Sequence, residues 1–177
     1  MPRRLQLLTL TSAALVGSTS GYAVTYFTPD QVQASLFPGV TLTALPRTLS
    51  EGEVAAVEKA SGLRVRKKEL RVWRAPDGGL LLIDEVLGKH EFITYAVALT
   101  PAGAVRQIEI MDYRESYGYQ IRDDKWRAQF AGKTASSPLK LDEDIKNVSG
   151  ATLSCRHLTD GVKRLLATYD VALKKSS

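Results

Sequence analysis

The sequence predicts one α+β domain: an antiparallel sheet with flanking helices, closed by a long C-terminal helix. Two β-rich runs, 92–99 and 105–111, are separated by the turn Pro101-Ala102-Gly103, which is hairpin spacing. Two earlier stretches carry helix-start signals at Thr28-Pro29 and Ser50-Glu51-Gly52-Glu53. Near the end, Leu158, Val162, Leu165, Leu166, Tyr169 and Leu173 recur at three and four, so a helix runs on from about Leu153. The 177 residues, 44% hydrophobic and 24% charged, suffice for one packed core.

In chain order, Arg3 and Arg4 precede the mostly apolar run Leu5–Gly17, and Gly21-Tyr22-Ala23 satisfies the small-x-small rule for cleavage. Residues 1–23 therefore read as a signal peptide or an N-terminal membrane anchor. The rest of the chain is expected in a periplasm, free or held at the inner membrane. Residues 24–84 form a helical and strand segment. Thr28 caps a short helix with Pro29 at its first position, and Ser50 opens a second, stopped by Gly62. Strands follow at Leu70–Arg74 and Leu80–Ile83 around the turn Ala75-Pro76-Asp77-Gly78-Gly79. A second unit, 85–173, holds the long hairpin, a short amphipathic helix over Asp123–Ala131 carrying Trp126 and Phe130, and the terminal helix.

Composition removes several kinds of chemistry. With one cysteine and two histidines the chain has no internal disulfide, and it lacks ligands for zinc, iron–sulfur or c-type haem sites. Redox work would need an organic cofactor. The net charge of +5 is spread among acids, and no nucleic-acid-binding motif is present, so no nucleic-acid partner is expected. No Gly-x-Ser-x-Gly, His-Glu-x-x-His or dinucleotide fingerprint occurs, which argues against hydrolase chemistry and against binding a nicotinamide cofactor.

The string Ser149-Gly150-Ala151-Thr152-Leu153-Ser154 stands where the terminal helix begins. Helix-start amides lack intrahelical partners and sit at the positive end of the helix dipole, which suits a phosphate. Read alone, the same string is also an ordinary Ser or Thr helix cap. His90 is expected to cap a strand, with contact to an organic cofactor as the alternative; His157 to cap or lie exposed on the terminal helix; and Cys155 to be a small buried residue, with a minor redox role as the alternative if exposed.

Further motifs accompany the string: the hairpin strand ending Ile108-Glu109-Ile110, the loop Tyr113–Tyr119, Trp126, and Phe130-Ala131-Gly132-Lys133. In this order they resemble the FMN-binding domain of the periplasmic flavin subunits of the sodium-translocating NADH:quinone reductase and the Rnf complex. Those subunits read Glu-Thr-Pro-Gly where this chain has Glu115-Ser116-Tyr117-Gly118, and commonly carry an acid where Lys146 stands. The resemblance implies that 85–173 is an FMN-binding domain. It also implies that a flavin transferase links FMN through its phosphate to Thr152. Ser149, Gly150, Ala151, Leu153 and Ser154 would surround that attachment. Glu115, Ser116, Tyr117, Gly118 and Tyr119 would face the flavin from the side opposite the attachment helix, and Lys133 would neutralise phosphate charge. The expected function is an exported electron carrier serving a membrane redox complex or a quinone-linked partner. A small periplasmic flavin-dependent reductase and an FMN-binding sensor or assembly module are the alternatives.

Overall fold

The structure is a computed structural model that describes residues 24–116 and 118–174. The leader, Tyr117 and the last three residues of the polar tail lie outside the described residues. Seven strands form one antiparallel sheet: β1 (Val24–Thr25), β2 (Thr43–Ala44), β3 (Arg47–Thr48), β4 (Glu69–Arg74), β5 (Leu80–Leu87), β6 (Phe92–Leu99) and β7 (Val105–Tyr113). Their order is β1-β7-β6-β5-β4-β2, with β3 pairing β4 as well. Among the described residues four α-helices accompany them: α1 (Pro29–Leu36), α2 (Glu51–Ser61), α3 (Asp124–Arg127) and α4 (Thr152–Thr168), the last continued by a π-helical turn at Tyr169–Leu173.

Both faces of the sheet are covered, which explains why β6 reads as a nearly unbroken apolar run. Tyr95, Val97 and Leu99 point to the face that packs against Leu158, Val162 and Leu166 of α4. Ala96 and Ala98 point the other way, beneath Val32, Leu36 and Phe37 of α1 and its exit. Large residues thus sit under the long helix and small ones under the short one. The helix α4 comes so close to the sheet at Gly161 that a Cβ there would stand 2.5 Å from the Tyr95 hydroxyl. That hydroxyl donates to Asp84 at 3.2 Å, and Arg164 of α4 pairs with the same carboxylate at 2.7 Å.

The expected elements are present, with three differences. β5 does not stop at Ile83 but continues to Leu87, paired with β6 along its whole length. Asp84 and Glu85 made the strand look finished, yet Asp84 is held by Arg164 and Tyr95, and Glu85 by Lys67. The division between 84 and 85 therefore falls within one continuous strand. The expected helix over 123–131 is broken into the single turn of α3 and a 3-10 turn at Ala128–Phe130. Trp126 and Phe130 are both buried and meet edge to face, 5.2 Å between ring centroids. Arg127 leaves this turn to donate to the Ile108 carbonyl at 3.0 Å and to pair with Glu109, which fastens it to β7. The short strands β2 and β3 had no sequence signal, being two residues each and dependent on β4 for pairing. Ser50 makes the expected capping box with Glu53, and Thr28 caps its helix as expected, with Gln31 completing a second capping box that had not been anticipated.

Candidate functional site

Three segments meet where α4 begins: the β5–β6 turn (Lys89, His90), the exit of β7 (Glu115, Ser116, Gly118, Tyr119 and Gln120), and Ser149–Ser154. They line a cleft of about 660 Å³, within the roughly 300–1,000 Å³ usual for small-molecule sites. Leu153 and Tyr119 present apolar surface there, at 42% and 63% exposure. Lys89 and His90 bring basic groups to the same wall.

The helix start is built for an anion. Ala151 is the N-cap residue, with no side chain able to cap, and the first helical bond runs from the Cys155 amide to the Ala151 carbonyl at 2.9 Å. The amides of Thr152, Leu153 and Ser154 thus precede any intrahelical acceptor and add to the positive end of the dipole. The expectation that a hydroxyl of Ser149, Thr152 or Ser154 caps this helix is not met. Gly150 takes φ +81°, and a side chain there would touch nothing within 4 Å. Its glycine serves the backbone turn rather than close approach.

Thr152 is the first residue of α4 and lies in the cleft wall, where its Oγ1 accepts from the Asn147 side-chain amide at 3.0 Å. Ser154 also reaches the wall, but it is buried at 3% exposure and its hydroxyl shares a hydrogen bond with the Tyr113 phenol. Ser149 and Leu153 are exposed on the cleft side, while Ala151 is buried.

The loop after β7 lines the cleft with Glu115, Ser116, Gly118 and Tyr119. It does not stand wholly across from the helix. Gly118 adopts φ +88°, and a Cβ there would lie 2.6 Å from the Ala151 Cβ and 2.7 Å from the Tyr113 hydroxyl. Loop and helix start come together at that point. Glu115 has a structural task as well: its carboxylate accepts the His90 amide at 2.6 Å and the Glu91 amide at 3.1 Å. Burial raises its pKa, but these amides, that of Lys89 and the nearby His90 outweigh burial and hold the carboxyl below its ordinary value. Gly88 makes room for this carboxylate, since a Cβ there would come within 2.5 Å of Glu115 Oε1.

Lys133 lies outside the cleft. Its Nζ pairs with Asp144 at 2.8 Å, and Asp144 also accepts the amides of Leu139 and Lys140. That carboxylate organises a tight loop in which the buried Leu139 holds φ +45°, so the charge of Lys133 is already engaged. His157 is neither exposed nor a cap; its Nδ1 contacts the Leu87 carbonyl, tying α4 to the end of β5. Cys155 is fully buried, and burial pushes its thiol pKa up. Among the described residues no group of three or more His, Cys, Asp or Glu is placed to hold a metal.

Sequence reasoning passed over Lys89, Gln120 and Asn147. Asn147 had a usable signal, being a polar residue five positions before Thr152; Lys89 and Gln120 reach the site only through the fold. The residues present fit FMN: free helix-start amides for a phosphate, and Tyr119 and Leu153 for an apolar ring. No curated protein matches the chain. A family model does: the FMN-binding domain, over residues 88–167. That span begins at the β5–β6 turn and ends within α4, taking in every segment that lines the cleft. Residues 88–167 thus belong to the FMN-binding domain family, and FMN is the cofactor of this protein.

Proposed function

We propose that the protein is an exported electron carrier of a membrane-associated redox chain, with FMN joined by a phosphoester to Thr152. The observation that supports this best is the setting of Thr152. Its hydroxyl belongs to the first residue of α4, in the cleft wall and beside amides that no side chain caps. Ser154 is committed to Tyr113 by comparison. A flavin transferase would make the link, and the tether would keep a diffusible cofactor with its protein outside the cytoplasm.

FMN supplies the redox chemistry; the chain binds it, orients it and sets its surroundings. Tyr119 and Leu153 leave an apolar, accessible rim, which suits passage of electrons to a docked membrane redox complex or quinone-linked partner. The leader at 1–23 supports export to a periplasm. No described helix is long and apolar enough to cross a membrane, so anchoring, where it occurs, would fall to that leader.

Intact-mass measurement of the full chain co-expressed with a flavin transferase tests the attachment. An adduct of FMN mass is expected, lost in Thr152→Ala and kept in Ser154→Ala. An adduct that survives Thr152→Ala refutes the assignment. The carrier role predicts that the protein, bleached on reduction, regains its yellow colour with a membrane fraction but does not turn over soluble acceptors.

A further inference from the structure

The segment before Thr152 is held in place from outside. The Trp126 indole donates to the Lys146 carbonyl at 2.7 Å, and the Lys146 amide donates to Gln129 Oε1 at 2.8 Å. Gln129 is itself oriented, because its Nε2 donates to the Trp126 carbonyl at 3.1 Å. One turn of structure at 126–130 therefore grips the backbone at 146 and sets where residue 147 begins. From there the Asn147 side chain donates to Thr152 Oγ1 at 3.0 Å, while its Oδ1 is buried without a hydrogen-bond partner. Leaving a buried carbonyl oxygen unpaired is costly. The fold tolerates that cost at an amide that touches the attachment hydroxyl.

We infer that Asn147 is a positioning residue for the loading of FMN, acting through Thr152; this rests on the attachment reading above. A threonine hydroxyl has one hydrogen to donate and two lone pairs to accept with. A donor from Asn147 occupies one lone pair and fixes the side-chain rotamer. The hydroxyl hydrogen stays free to leave, and the second lone pair stays free to attack. In the loading step Thr152 Oγ1 forms a bond to the flavin phosphorus of a donor that carries FMN as a phosphoanhydride. The anhydride P–O bond breaks, the leaving phosphate departs with its electron pair, and the hydroxyl proton passes to a base of the transferase. The Asn147 amide can keep donating to the same oxygen before and after, because the oxygen loses its hydrogen but not its role as acceptor. The same geometry gives Lys146 a role through its backbone alone, which is compatible with a lysine where related subunits carry an acid.

The full chain is incubated with a purified flavin transferase and FAD as the phosphoanhydride donor, and loading is followed by intact mass. Asn147→Asp keeps the shape and removes the donor; Asn147→Ala removes the side chain. Both are expected to lower kcat for loading about tenfold, the rate equivalent of one hydrogen bond. KM for the chain should stay unchanged. Thermal melting of both variants is followed alongside, and the variant that stays folded decides the matter. Loading of Asn147→Asp at the unaltered kcat overturns the inference. So does a loss confined to KM, which would make Asn147 part of a docking surface. An adduct in a parallel Thr152→Ala sample, or none in the unaltered chain, overturns the attachment reading and this inference with it.

Discussion

Two glycines flank the attachment segment in similar backbone conformations but in opposite surroundings, which allows strain and packing to be separated by experiment. Gly118 has φ +88° and Gly150 φ +81°. A left-handed conformation costs an alanine about 1–2 kcal/mol, partly offset by the roughly 0.4–1 kcal/mol gained from stiffening the unfolded chain. At Gly150 nothing lies within 4 Å of the added Cβ, so that balance is the whole effect. At Gly118 the Cβ would stand 2.6 Å from the Ala151 Cβ, about 1 Å inside the usual carbon–carbon separation. The Ala151 Cβ cannot rotate away, so relief requires movement of the loop or of the start of α4. Such overpacking adds about 1–3 kcal/mol. Gly118→Ala should therefore lose about 1–4.5 kcal/mol, and Gly150→Ala about 0–1.5 kcal/mol. Urea unfolding of the two variants at equal slope measures the difference directly. A gap below about 0.5 kcal/mol would show that loop and helix start are not packed together, and the account of the cleft would fail with it.

Gly161→Ala inside α4 should destabilise by about 1–3 kcal/mol although alanine is the better helix former by about 1 kcal/mol. The added Cβ would meet the Tyr95 hydroxyl at 2.5 Å and Val86 Cγ1 at 2.7 Å; a raised melting temperature would refute that contact. Acid should unfold the protein through Glu115 and Asp144. Burial raises the pKa of both. It is outweighed at Glu115 by backbone amides, and at Asp144 by Lys133 and backbone amides, so both folded values lie below the ordinary 4.5 and 3.8. A depressed folded pKa gives stability that is present above the unfolded value and lost as pH falls through the folded one. Urea midpoints should thus hold from neutral pH to about pH 5 and fall toward about pH 3. Glu115→Gln and Asp144→Asn should each flatten that fall, and variants as acid-sensitive as the unaltered chain would contradict the assignment.

The α+β class, the Thr28 cap, the Ser50 capping box, the long hairpin and the register of the terminal helix were legible in the sequence. Each rests on short-range rules: side-chain periodicity, a cap three residues from its partner, a Pro-Gly turn. The attachment string was legible too, because Ser149–Ser154 is contiguous and its helix follows at once. What lay beyond sequence was the set of partners for each polar group. Glu115 meets His90 across 25 positions and Trp126 meets Lys146 across 20, and only the stacking of β7, the 126–130 turn and α4 brings them together. The same packing committed Lys133 to Asp144 rather than to the cleft and buried Ser154 against Tyr113. It also left Thr152 in the cleft wall beside Asn147. A motif names the atoms that can react, but burial and long-range hydrogen bonds decide which of them remain available.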